Sequence, residues 1–187
     1  MKTTLIILLI FLSLTPLAAS AQEHKTGILY GPSHAFALQA PQGWVLDNKS
    51  GVSQNLYAVL YPVGTSWRES SAVMYSRGIL KGDGIMSIKD QVDKTVKEFK
   101  ESGSPKISVQ FIKEITAEKG HKGAIYHYNG DQWGNHEAVV YFEEDKSINF
   151  IVLTTRTKEA FDSSLKAFEE AAASYMFITD DVQINKK

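Results

Sequence analysis

The run Ile148 to Leu153 (INFIVL) decides the fold class of this chain. Apart from Asn149 it is apolar at successive positions, and successive side chains of a β-strand point to opposite faces of the sheet. A strand that is apolar on both faces is usually covered on both. The run therefore predicts a strand inside a layered fold, and Tyr57 to Tyr61 (YAVLY) has the same character.

The segments around this run predict an antiparallel sheet. Turn residues at Asn129-Gly130-Asp131 and at 144–146 separate three apolar segments in meander style, and short turns join antiparallel neighbours. Strands are expected at Val73 to Leu80, at 107–111, and over roughly His121 to Tyr128, Glu137 to Glu143 and Ser147 to Thr155.

Two helices are indicated by apolar residues at spacings of three and four. Ser87 is a predicted N-cap, and Asp90 three residues later completes a capping-box pattern before the stripe Ile88, Val92, Val96 and Phe99. Gly103 follows as a predicted stop. The second helix is expected over Lys158 to Met176, with the stripe Phe161, Leu165, Phe168, Ala172 and Tyr175.

These elements predict an α+β fold. Each helical stripe must be buried against a sheet, and the apolar strands need cover on two faces. We expect an α/β/α sandwich, with a mainly antiparallel sheet of about six to eight strands covered by two main helices. The segment 22–187 lacks a Pro/Ser/Gly-rich linker or an internal repeat, so it is expected to form a single domain with short loose ends.

The segment Phe36 to Trp44 (FALQAPQGW) predicts two short strands joined by a tight turn at 41–43. This opening, followed by a central helix, a four-stranded meander and a C-terminal helix, resembles the PsbP-like superfamily, which includes small periplasmic proteins of the DcrB type. The resemblance implies a non-enzymatic role in binding or assembly, as an accessory subunit or adaptor. The shared residues are structural, so the resemblance carries over no functional site.

The first 21 residues, 1–21, have the pattern of a secretory signal peptide. Lys2 supplies a positive charge, Leu5 to Leu12 is continuously apolar, and Ala19-Ser20-Ala21 is a small-x-small cleavage pattern. The apolar run is shorter than the ~20 residues that span a bilayer, which disfavours an anchor. We therefore expect a soluble periplasmic or secreted protein that starts at Gln22, without membrane insertion after cleavage.

Composition excludes several classes of function. The formal net charge of −1 gives no electrostatic footprint for nucleic acid or for an acidic membrane surface. The chain has no cysteine, so disulfides, thiolate metal sites and cysteine nucleophiles are absent. Gly51 to Asn55 lacks the closing glycine of a nucleophile elbow, which leaves Ser53 or Ser66 only as an unsupported hydrolase alternative. No cofactor motif is present.

A polar hairpin over His127 to Glu137 suggests a possible metal site. If its loop closes near residues 130–134, His127 and His136 lie almost opposite one another. Two imidazoles with Asp131 or Glu137 have the chemistry to hold zinc or copper. The competing interpretation is an exposed hairpin end whose residues serve turn geometry. A metal-binding protein or metal-dependent enzyme is therefore the alternative function.

Three side chains in two expected surface loops suggest a partner surface. Trp67 and Arg68 lie in the loop before Val73, and Trp133 lies in the polar hairpin. Tryptophan and arginine are enriched at binding hot spots, whereas a loop tryptophan that folds back onto the core is the competing interpretation. With no catalytic signature, the sequence favours an exported binding or accessory protein whose partner is an unknown protein or small ligand of the cell envelope.

Overall fold

The chain forms ten β-strands and two α-helices within the residues that this computed structural model describes, which are 26–30, 34–56 and 58–182. The predicted signal peptide and Tyr57 lie outside the described residues. In chain order the elements are β1 (Thr26–Tyr30), β2 (Ala35–Gln39), β3 (Trp44–Asp47), β4 (Val59–Pro62), β5 (Ala72–Leu80), α1 (Ile88–Glu101), β6 (Ser108–Thr116), β7 (Lys122–Asn129), β8 (His136–Glu143), β9 (Ser147–Thr155), α2 (Lys158–Ala173) and β10 (Met176–Thr179).

Seven strands form the main sheet, in the order β3-β4-β5-β9-β8-β7-β6, and each neighbouring pair is antiparallel. The INFIVL run lies in β9, at the centre of this order, where Ile148, Ile151 and Leu153 are fully buried. β5 pairs with β9 over nine residues, from Ala72 opposite Thr155 to Leu80 opposite Ser147. The predicted strand and its antiparallel meander are confirmed.

The two faces of this sheet support two separate apolar cores. Along β8, Ala138 and Val140 lie in one core with α2, whereas Val139 and Tyr141 lie in the other core with α1. This alternation is what strand geometry dictates when both faces are covered. The expected α+β sandwich with a helix on each face is confirmed, and seven strands lie within the expected range.

The first helix begins where the sequence predicts, and the second ends earlier. The Ser87 side chain caps α1 by accepting a hydrogen bond from the Asp90 N–H. Thr157 caps α2 in the same way, but α2 ends at Ala173 rather than at Met176. The prediction that the helix continues to Met176 is wrong. Tyr175 continues the apolar spacing of the helix, but its ring lies in the core and stacks on Phe142, with ring centroids 3.9 Å apart. Past it the chain extends as β10.

A second sheet of three strands, in the order β1-β2-β10, was not predicted from the sequence. The two strands and the turn expected over Phe36 to Trp44 are present, but they do not pair with each other. β2 pairs with β1 and β10, whereas β3 joins the main sheet beside β4. Phe36 and Leu38 pack into the α2 core, so the turn at 41–43 carries the chain from one sheet to the other. The Trp44 N–H donates to Pro41 O at 3.0 Å across it.

Candidate functional site

Three connections meet at one end of the main sheet. The loop 63–71 leads into β5, the hairpin loop 130–135 joins β7 to β8, and Arg156 follows β9. The register holds them together, because Ala72 and His136 both pair with Thr155. One residue further, the Arg156 N–H donates to Ser71 O at 3.2 Å. Residues distant in sequence are therefore neighbours here.

A small cavity lies between these connections. Its volume is about 220 Å³, and its lining includes both Trp67 and Arg68, which the sequence predicted as partner-binding residues. The cavity is lined by Trp67, Arg68, Ser70, Ser71, Val73, Asn135, Thr154, Thr155 and Arg156. Sequence reasoning missed Asn135 and Arg156. Only the pairing of β5 with β9 and of β8 with β9 brings these two residues to the loop of Trp67.

Trp67 is fixed against the sheet. Its ring meets the Tyr75 ring edge to face, with centroids 6.4 Å apart. The loop that carries it is closed by two backbone hydrogen bonds to Ser66 O, from Glu69 at 3.2 Å and from Ser70 at 3.0 Å. Trp67 remains partly exposed, so one side of the indole contacts the protein and the other borders the cavity.

Trp133 does not fold back to seal the core, since 65% of its surface is exposed. Its loop is nevertheless ordered by Asp131, whose carboxylate accepts hydrogen bonds from the Trp133 N–H at 3.1 Å and from the Asn135 N–H at 2.8 Å. Gln132 anchors the loop to the end of α1 by donating to Ser102 O at 2.7 Å. The loop therefore presents an exposed indole from a fixed position.

Glu137 is an unusual carboxyl beside the cavity. It lies between Tyr128 on β7 and Thr154 on β9, and Thr154 lines the cavity. Burial raises the pKa of Glu137 to about 7, the hydrogen bond with Thr154 opposes that rise, and the charge of Asp131 adds to it. At neutral pH this carboxyl is therefore divided between its protonated and ionised forms.

The register of the hairpin differs from the one that the metal-site prediction assumed. Asn129, not His127, lies opposite His136, and His127 lies opposite Ala138. Both imidazoles flank Phe161, at ring centroid distances of 5.0 Å for His127 and 6.0 Å for His136. Burial lowers the pKa of His127.

Asp131 is turned into its own loop, as described above. Within the described ranges there is no group of three or more histidine, aspartate or glutamate side chains placed to hold a metal ion. The metal site at His127, Asp131 and His136 stays a prediction.

Comparison with known proteins identifies the fold. No family model and no curated protein matches the chain. The solution structure of cyanobacterial PsbP (CyanoP) from Synechocystis sp. PCC 6803 is similar over 88% of this chain and 100% of that protein, with a TM-score of 0.50 and 14% sequence identity. A crystal structure of a Pseudomonas aeruginosa protein of unknown function aligns over 83% of this chain and 84% of that one, with a TM-score of 0.37 and 15% identity. The resemblance to the PsbP-like fold predicted from the sequence is confirmed.

Proposed function

We propose that this chain is an exported, non-catalytic accessory protein that binds a protein partner in the cell envelope through the sheet end carrying Trp67, Arg68 and Trp133. One observation carries the proposal. Trp67 and Arg68 line one cavity, and Asn135 of the neighbouring hairpin loop lines it as well. The same hairpin loop carries Trp133, which is 65% exposed. We call Trp67, Arg68 and Trp133 the Trp/Arg surface.

The residue types at the Trp/Arg surface favour recognition of a protein. Tryptophan and arginine supply a large share of the binding energy at protein interfaces, because each offers a wide contact area together with hydrogen-bond donors. A fully solvated indole gains nothing for folding, whereas an indole held on an ordered loop loses little conformational entropy when it is buried by a partner. The ordered loop of Trp133 meets that condition.

Export and the accessory role are supported by different observations. The pattern of residues 1–21 supports export to the periplasm or the exterior. No helix among the described residues is long and apolar enough to cross a membrane. The PsbP-like resemblance implies an accessory or adaptor role, and the sequence offers no nucleophile motif that would support catalysis.

The proposal is tested by crosslinking in the host, with the full chain carrying a C-terminal tag. We expect one partner protein to be recovered from the envelope fraction at a stoichiometric level, and recovery to fall strongly for Trp133→Ala and for Arg68→Ala. Phe111→Ala is the matched control, because Phe111 is 52% exposed on the edge strand β6 and does not belong to the Trp/Arg surface.

Equal recovery by all the variants would overturn the assignment of the surface. Substrate turnover by the purified protein, lost on a single substitution, would overturn the non-catalytic role.

A further inference from the structure

The two arginines that line the cavity beside Trp67 have no acidic partner in the part of the chain that the structure describes. Arg68, Arg77 and Arg156 are the arginines of the chain, and Arg68 and Arg156 both line this cavity. Among the described residues, no carboxylate oxygen lies within 4.0 Å of a nitrogen of either guanidinium group, so neither arginine forms an ion pair. Several lysines do form such pairs, among them Lys81 with Glu143 and Lys113 with Glu169. We call this cavity the arginine pocket.

Three carboxyl groups on the segments around the arginine pocket have other hydrogen-bond partners. Glu69, next to Arg68 in sequence, accepts a hydrogen bond from the Ser66 hydroxyl at 3.0 Å. Asp131 accepts one from the Asn135 side-chain amide at 2.8 Å, in addition to its backbone bonds. Glu137 is bonded to Thr154. Among the described residues, no ion pair engages the guanidinium group of Arg68 or of Arg156, so both have donors free for a ligand.

The backbone holds together the two segments that carry Arg68 and Arg156. Arg156 is the residue after β9, and its N–H donates to Ser71 O at 3.2 Å. Arg68 lies three residues before Ser71, in the closed loop 63–71. Trp67 supplies an aromatic wall and Val73 an apolar floor. Guanidinium groups bind planar oxyanions with two parallel hydrogen bonds, and a carboxylate is such a group. A cavity of about 220 Å³ has room for one acidic side chain or chain terminus but not for a large cofactor.

We propose that the arginine pocket binds a carboxylate of an acidic segment of the partner protein, with Arg68 and Arg156 as its donors. This inference rests on the proposed function. An unmodified protein supplies an oxyanion only as an aspartate, a glutamate or a C-terminal carboxylate, so a protein partner makes carboxylate the fitting chemistry. A free organic acid carries the same group and is the other source that the experiment must distinguish.

The test uses the isotope-labelled protein and follows the backbone amide signals of Ser71, Asn135 and Arg156 by NMR. The probes are a capped peptide of alternating aspartate and glutamate, its capped counterpart of asparagine and glutamine, succinate, and inorganic phosphate. Arg68→Gln and Arg156→Gln are the test variants. Arg77→Gln is the matched control, since Arg77 carries the same charge but lies over the Tyr75 ring, outside the pocket.

We expect the acidic peptide to shift all three signals in a saturable way, and its amide counterpart to leave them unchanged. Each test variant should lower the affinity for the acidic peptide by about tenfold or more, because one charge-assisted contact is lost. Arg77→Gln should retain the wild-type affinity. Binding of succinate or phosphate more tightly than the peptide would overturn the proposal in favour of a small-anion site. Absence of any shift, or equal losses in all three variants, would also overturn it.

The crosslinking experiment separates this inference from the proposed function. Recovery of the partner that is unchanged in the combined Arg68→Gln and Arg156→Gln variant, yet lost in Trp133→Ala, would overturn the arginine pocket as the carboxylate site. It would leave the accessory role and the contact through Trp133 standing, and it would remove Arg68 from the Trp/Arg surface. Peptide binding that depends on both arginines, with no partner recovered from the envelope, would support the pocket and count against the proposed function.

Discussion

The Tyr175 hydroxyl donates a hydrogen bond to Glu144 Oε1 at 3.0 Å, which ties the end of α2 to the turn between β8 and β9. The same hydroxyl accepts a hydrogen bond from the Asn149 side-chain amide at 3.0 Å, and that amide also donates to the Ser147 hydroxyl at 3.2 Å. Tyr175 is fully buried and stacks on Phe142. One side chain thus combines aromatic packing with a buried polar contact between the C-terminal segment and the main sheet.

Tyr175→Phe should destabilise the protein by about 1 to 3 kcal/mol, because the ring still packs on Phe142 but the buried Asn149 amide loses one of its two acceptors and Glu144 loses a donor. Tyr61→Phe is the matched control, since its hydroxyl bonds to Asp47 at 2.9 Å in a partly exposed position where water can replace it. Urea denaturation of both variants measures the difference. A Tyr175→Phe loss no larger than that of Tyr61→Phe would show that the polar contact contributes nothing.

Glu137 should make stability depend on pH. Its folded pKa of about 7 lies above the ordinary 4.5, so between these values the folded state binds more protons than the unfolded state. The stability that protonated Glu137 provides is therefore complete below about pH 4.5 and is lost as the pH rises through 7. The glutamine of Glu137→Gln has no titrating group. As the pH rises over that range, the free energy of unfolding of this variant should therefore increase relative to that of the wild type by about 2 to 3 kcal/mol.

Denaturation of Glu137→Gln at a series of pH values measures this slope, and Glu143→Gln provides a control of opposite sign. Burial acts to raise the pKa of Glu143, but the hydrogen bonds from the Ile88 N–H and from Lys81 outweigh it and the pKa is lowered. The stability that Glu143 provides is thus lost as the pH falls. Parallel slopes for the two variants would contradict the environments described here.

Local sequence patterns predicted the layers of the fold, but they did not predict the second sheet. The INFIVL run and the capped stripe from Ser87 depend on neighbours within one element, so periodicity revealed them. Tyr175 also fits the helical period, yet its burial against Phe142 ends α2 and redirects the chain into β10. That outcome depends on a tertiary contact, which a local pattern does not contain.

The candidate site divides in the same way. Residue type alone singled out Trp67, Arg68 and Trp133. Arg156 lines the arginine pocket because Ala72 pairs with Thr155. This pairing joins residues more than eighty positions apart in the sequence. The predicted pairing of His127 with His136 differs from the observed register by two residues, because Asn129 lies opposite His136 in the β7–β8 ladder.

The metal hypothesis has a direct test. We expect purified protein to carry no stoichiometric zinc or copper, because His127 and His136 both pack beside Phe161 and the Asp131 carboxylate already accepts hydrogen bonds from its loop. Elemental analysis after incubation with each metal measures this, with His136→Ala as the control. One equivalent of metal in the wild type, lost in the variant, would establish the site and revive the alternative function.

The two loop tryptophans should differ in what they contribute to folding. Trp67 contacts Tyr75 and borders the core, so Trp67→Ala should lower the free energy of unfolding by about 1 to 2 kcal/mol. Trp133 is 65% exposed, so Trp133→Ala should change it by no more than about 0.5 kcal/mol. Thermal denaturation of the two variants measures both values. If Trp133→Ala costs as much as Trp67→Ala, its indole seals the fold. If it costs nothing, the loss of partner recovery in that variant reports on binding, because the scaffold that presents the Trp/Arg surface is intact.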